Sequence, residues 1–141
     1  MKKFVVVLVM IMILSGCGQK PSEPVEYKDG NYTGESAPDE WGGKLVAHLT
    51  VEGGKIIECT IENLDNNGVE KGEDYGKVDG KITNPGLYQI AQNAVEVTKD
   101  YPKELLETQD IKLVDVISGA TVSHKAFQEA VQDALSEEGG E

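Results

Sequence analysis

Leu45-Val46-Ala47-His48-Leu49-Thr50-Val51-Glu52-Gly53-Gly54-Lys55-Ile56-Ile57-Glu58-Cys59-Thr60-Ile61 decides the fold class. Leu45, Ala47, Leu49 and Val51 alternate with Val46, His48 and Thr50, the period of a strand with one apolar face. The second run repeats the habit, with Ile57, Cys59 and Ile61 on one side. Gly53-Gly54 supplies the positive φ angles of a tight turn, so the stretch predicts an antiparallel hairpin with one buried face.

Working outward, the stretch Tyr27 to Gly34 has a turn signal, Asp29-Gly30, followed by β-formers, and leads into a short first strand. Asn63 to Gly80 is rich in Asn, Asp, Gly and Glu and reads as a long surface loop. Asn84-Pro85 opens a helix, with Asn as N-cap and Pro at its first position. Leu87, Ile90, Ala91, Ala94 and Val97 then follow the helical period. Pro102 interrupts that helix and opens a second short one through Glu107, carrying Leu105 and Leu106. Ile111 to Ile117 is apolar and β-branched, a strand or an extended buried segment. Ser118-Gly119-Ala120 breaks it, and Ala126, Phe127, Ala130, Val131, Ala134 and Leu135 form the apolar stripe of a last helix. The expected architecture is a single α+β domain, a small antiparallel sheet with helices packed on one face.

The chain start has a different character. Lys2 and Lys3 precede an apolar run from Phe4 to Leu14, at roughly 11 residues too short to span a bilayer and suited to a signal-peptide core. Leu14-Ser15-Gly16-Cys17 resembles a bacterial lipobox, which implies cleavage before Cys17, a lipid on its thiol and anchoring to the membrane on the outer side of the cytoplasm. Two or three acyl chains anchor stably where one would not. The expected organisation is a signal peptide over 1–16, a lipidated tether with Pro21 and Pro24 over 17–26, the folded domain over 27–136 and a frayed tail over 137–141.

The formal charge is −12, and all 13 basic residues are lysine. That composition argues against nucleic-acid binding, which needs basic surface, and against gripping a phosphate through guanidinium forks. A bound phosphate needs backbone N–H groups or a covalent link instead. With Cys17 assigned to lipid, Cys59 has no disulfide partner and reads as a small core hydrophobe. His48 and His124 have no metal-ligand spacing, and the acidic loop at 62–79 lacks that of an EF-hand, so no metal site is expected. No Ser-His-Asp or Cys-His arrangement points to a hydrolase.

Thr121 stands where the chain turns into the last helix. Gly119 permits the sharp turn. Thr121 or Ser123 is the expected cap of the helix, whose free N–H groups and positive dipole end attract anions. A phosphate on Thr121 Oγ would meet those donors, with Ser118 and Ser123 adding hydroxyls. A helix N-cap after a glycine turn is also common without any ligand.

Asp115-Val116-Ile117-Ser118-Gly119-Ala120-Thr121 resembles the flavinylation signature of FMN-binding domains, such as the covalent-flavin subunits of sodium-translocating NADH:quinone reductase and of Rnf-type complexes. It also resembles small flavinylated lipoproteins of extracellular electron transfer. Asp29-Gly30-Asn31-Tyr32-Thr33-Gly34 is similar to the family's opening, Thr50 to Ile56 to its hairpin, and Tyr101-Pro102 through Gln109 to its closing half. The resemblance implies FMN on Thr121 through a phosphoester, placed by a Mg²⁺-dependent flavin transferase that takes FAD as donor. Asp115, Ser118, Gly119 and Ala120 are then recognition and positioning residues, with Asp115 orienting the acceptor loop or placing metal in the transferase complex. Trp41, Tyr32, Tyr88 and His124 are candidates to contact the ring. The implied function is electron carriage rather than stand-alone catalysis, from a membrane dehydrogenase or quinol to another redox protein or an external acceptor. Against it stand a non-redox surface lipoprotein that binds another ligand and an accessory subunit of a membrane redox complex.

Overall fold

A computed structural model describes residues 23–136. The expectations for the signal peptide, Cys17 and the tail at 137–141 lie outside the described residues. Among the described residues no helix is long and apolar enough to cross a membrane.

Three antiparallel strands in chain order form the sheet: β1 (Gly30–Glu35), β2 (Lys44–Glu52) and β3 (Lys55–Leu64). Glu52 pairs with Lys55 across Gly53 and Gly54, whose φ angles are 60° and 78°. This is the two-residue hairpin with positive φ at both central positions that Gly-Gly predicts. Asp29 fixes it from outside by accepting the Gly54 N–H at 2.9 Å.

Leu45, Ala47, Leu49 and Val51 are all buried, as their alternation requires. Val46, on the other face, is buried as well. In β3 the expected parity fails. Glu58 partners Thr50 and Ile56 partners Val51, so Ile57 is the extra residue of a β-bulge. Ile56 and Cys59 therefore point inward, while Ile57 is turned out and half exposed. The side chain of Gln109 occupies Ile56 beside the bulge, accepting its N–H and donating to its carbonyl, both at 2.8 Å.

Three helices follow: α1 (Pro85–Thr98), α2 (Tyr101–Thr108) and α3 (Thr121–Leu135). Asn84 caps α1 by accepting the Leu87 N–H at 3.1 Å, with Pro85 behind it as predicted. The segment from Ile111 is neither strand nor strand-paired. It forms a 3-10 turn, Ile111–Leu113, capped by Asp110, and then runs irregularly to the turn before α3. Ile111 and Val114 anchor it in the core, while Leu113 and Val116 face solvent.

α3 lies across β1 and β2, and α2 covers β3, so both close the same face of the sheet. Phe127, Ala130, Val131 and Ala134 are fully buried there with Tyr101 and Leu105. The contact of α3 with β1 is a backbone approach: a Cβ on Gly34 would stand 2.1 Å from the Ala134 nitrogen and 2.3 Å from the Ala130 oxygen. The domain is α+β with helices on one face of a small antiparallel sheet.

Candidate functional site

The turn before α3 is held from beneath. Tyr101 is fully buried and stacks on Phe127 with ring centroids 5.6 Å apart. Its phenol donates to the Ala120 carbonyl and accepts the Ile117 N–H, each at 3.3 Å. The Ala120 N–H closes the same turn onto the Ile117 carbonyl at 3.0 Å. Gly119 sits at φ +83°, a conformation that glycine adopts without strain.

Neither Thr121 nor Ser123 caps α3. Ala120 occupies the N-cap position without a side-chain cap bond, and Thr121 is the first helical residue. The hydroxyl expected as a cap is thus displaced by one position, because the buried Ala120 carries the chain through the turn. The first bond of the helix runs from the His124 N–H to the Ala120 carbonyl at 2.9 Å. The N–H groups of Thr121, Val122 and Ser123 have no intrahelical partner, the usual state of a helix start. Thr121 is exposed.

Thr121 opens onto a cleft of about 720 Å³, bounded by α1, the start of α3, the segment before β2 and the loop after β3. That volume falls within the range of small-molecule sites, roughly 300–1,000 Å³. Gly119, Ala120 and Ser123 line it with Thr121. Asp115 and Ser118 do not. Both are exposed outside the cleft, and the Asp115 N–H is bound by Glu104 at 2.8 Å.

Leu87 and Ile90 form the α1 wall of the cleft and are each 64% exposed. The helical period gave their face correctly, but that face looks into the cleft, while Val95 and Thr98 are buried further along. Of the four aromatic candidates, Trp41 lines the cleft and stays 67% exposed. The others have structural tasks. Tyr32 donates to the Lys28 carbonyl at 2.6 Å, and Tyr88 to the Glu73 carbonyl at 2.8 Å. His124 places Nε2 at 2.7 Å from the Val114 carbonyl and its ring 5.5 Å from that of Tyr101.

The acidic loop contributes residues the sequence did not single out. Gln92 on α1 donates to the Gly72 and Tyr75 carbonyls, which folds the loop over the cleft and brings Lys71 and Tyr75 into its wall. Lys71 Nζ lies 3.2 Å from Asp39 Oδ2 and 4.8 Å from the Tyr75 ring centre. Both members of the ion pair are largely buried, with side chains 9% and 13% exposed. Asp39 also accepts the N–H groups of Trp41 and Gly43, each at 2.9 Å. Burial would raise the Asp39 carboxyl, but the Gly43 and Trp41 amides and then the Lys71 ammonium outweigh it and hold it below its ordinary range. The lysines set among acidic residues in this loop, Lys71 and Lys77, in a chain without arginine, were the available sequence signal.

A polar anchor point at one end, apolar walls and an exposed indole suit a ligand with a phosphate tail and a flat ring. The profile of the FMN-binding domain matches residues 40–136. The chain belongs to the FMN-binding domain family. The matched span runs from the Trp41 segment to the end of α3 and so contains the cleft-lining residues other than Asp39. FMN is the cofactor that this family membership supports. No curated protein matches the chain. A crystal structure of a Clostridium perfringens protein is similar at 29% identity, covering 77% of this chain and 86% of that one, with a TM-score of 0.53. A solution structure from Clostridium thermocellum is 24% identical over 79% of this chain and 92% of that one, with a TM-score of 0.46.

The residues of this FMN-binding domain fit the group. The unpartnered N–H groups at the start of α3 would meet the phosphate, and Leu87, Ile90 and Trp41 would flank the ring.

Proposed function

We propose that this FMN-binding domain is a lipid-anchored flavoprotein outside the cytoplasm that carries electrons on FMN joined to Thr121 by a phosphoester. The observation that carries the linkage is the position of Thr121: its side chain is exposed, at the first position of α3 and on the cleft, and is not consumed as a helix cap. In the attachment step, Thr121 Oγ bonds to the FMN phosphorus of FAD, the pyrophosphate bond breaks, AMP leaves and the threonine proton goes to solvent or a base of the transferase. Mg²⁺ in that enzyme offsets the phosphate charge. Asp115 and Ser118, exposed beside the acceptor and outside the cleft, are free to be read by the transferase.

The flavin supplies the electron chemistry; the chain supplies location, a phosphate seat and a ring cleft. A lipid on Cys17 would hold the domain at the membrane, beside a membrane dehydrogenase or quinol as donor. The acceptor would be another redox protein or an external compound. Covalent attachment suits an exported carrier, which would otherwise lose its flavin by dilution.

The test is co-expression with a flavin transferase, followed by a denaturing gel and intact-mass measurement. The wild-type band is expected to fluoresce and to carry the FMN mass increment, while Thr121→Ala folds normally and carries neither. A dark, unmodified wild-type band overturns the covalent assignment.

A further inference from the structure

We propose that Lys71 sets the reduction potential of the flavin in this cleft, its ammonium being the cation against which the reduced ring's negative charge settles. The proposal rests on the FMN reading above.

Two lysines reach the cleft, Lys44 and Lys71. Lys44 is turned to Glu35 on the exposed side of the sheet. Lys71 is the nearly buried one, at 9% side-chain exposure, in a chain whose formal charge is −12. Its ammonium has three donors, and Asp39 takes one. Asp39 cannot swing away, because Trp41 and Gly43 hold its other oxygen. The pair also depends on bare backbone beside it. A Cβ on Gly43 would stand 2.8 Å from Lys71 Nζ and 3.0 Å from Asp39 Oδ2. The cation is thus fixed in the wall and largely screened from water, where its field acts at greater strength than on the surface.

The chemistry is sensitive to that field. The oxidised ring is neutral; two electrons from a quinol or dithionite and one proton from water leave it with a negative charge. A fixed ammonium in the wall favours the reduced side of that balance, and Asp39 moderates it.

Reductive titration of the purified flavin-bearing chain tests the assignment. Lys71→Gln is expected to lower the potential by the equivalent of a tenfold change in the reduced-to-oxidised ratio, about 30 mV for a two-electron couple. Asp39→Asn keeps an oxygen for the two amides, removes the opposing charge and is expected to raise the potential by a similar factor. Lys71→Arg is expected to stay near wild type. An ion pair that merely fastens two loops would shift Lys71→Gln and Asp39→Asn in the same direction or not at all, and either result overturns the proposal. Should Lys71→Gln fail to fold, Asp39→Asn and Lys71→Arg carry the test: a rise in the first with no shift in the second is required. A wild-type chain without flavin overturns the functional reading and this proposal together. Flavin-bearing variants without opposed shifts overturn the Lys71 assignment alone.

Discussion

Tyr101 and Ala120 are joined by a 3.3 Å hydrogen bond from phenol to carbonyl, and the phenol oxygen accepts the Ile117 N–H at the other end of the turn. One buried hydroxyl on α2 therefore fixes the shape of the segment that presents Thr121. Tyr101→Phe keeps the stack on Phe127 and removes both bonds. The expected cost is about 1–3 kcal/mol, because the Ile117 N–H is left with no acceptor in a partly buried turn. Chemical denaturation measures that loss. Flavin attachment to the folded variant should also be slower than to wild type, read as in-gel fluorescence against time. Unchanged stability together with an unchanged attachment rate would remove Tyr101 from this role.

Gly34 and Gly53 should respond unequally to alanine. At Gly34 the new methyl would meet α3 backbone at 2.1 Å, and backbone cannot step aside as a flexible side chain can. Gly34→Ala is expected to cost roughly 3 kcal/mol, at the upper end of overpacking effects. Gly53 is at φ 60° with nothing within 4 Å of an added methyl. Its substitution carries only the left-handed backbone penalty, about 1–2 kcal/mol. Thermal denaturation of the two variants checks the order.

The sheet was legible because its signals are local. Alternation in Leu45, Ala47, Leu49 and Val51 and two glycines between the runs determine a hairpin without reference to distant residues. Asn84-Pro85 is equally local. What the sequence misplaced or left open depends on contacts that a local pattern does not encode. Ile57 turns outward because a bulge shifts β3 by one residue. Leu87 and Ile90 obey the helical period, but a period cannot distinguish a core from a cleft. Ile111 to Ile117 has strand composition and finds no strand to pair with. Thr121 stands one position inside α3 because Tyr101 and Ile117 set where the turn closes. The acceptor motif was readable as a resemblance, whereas Lys71 and Asp39, 32 residues apart, meet only in three dimensions.

Cys59 should be inert in the folded chain. Burial beneath the helices pushes its thiol up to about 12 from an ordinary value of 9.0. Iodoacetamide at pH 8 is expected to label the urea-unfolded chain and to leave the native chain unlabelled over the same time. The raised value also has a thermodynamic sign. Well below pH 9 the thiol is neutral in both states and its contribution is intact. As pH rises from about 9 toward 12, the unfolded thiol ionises while the folded one resists, so that stability is progressively lost. Cys59→Ala should flatten that part of the alkaline slope. Equal labelling of native and unfolded chains would refute the assignment.

Acid should act in the opposite sense through Asp39. Its carboxyl is held below an ordinary value of 3.8 in the folded chain, so the unfolded state takes up a proton first as pH falls. Its contribution is fully present above the unfolded value and is lost as pH drops through the folded one. Many carboxylates titrate together in this acidic chain, so the absolute slope identifies none of them. The informative quantity is the stability gap between wild type and Asp39→Asn, followed by urea denaturation. It should be constant from pH 7 down to about pH 5 and narrow from about pH 4 downward as the charge of Asp39 disappears. A gap that is the same at pH 7 and pH 3 would mean that Asp39 holds the Trp41 segment through hydrogen-bond geometry alone, without a contribution from its charge.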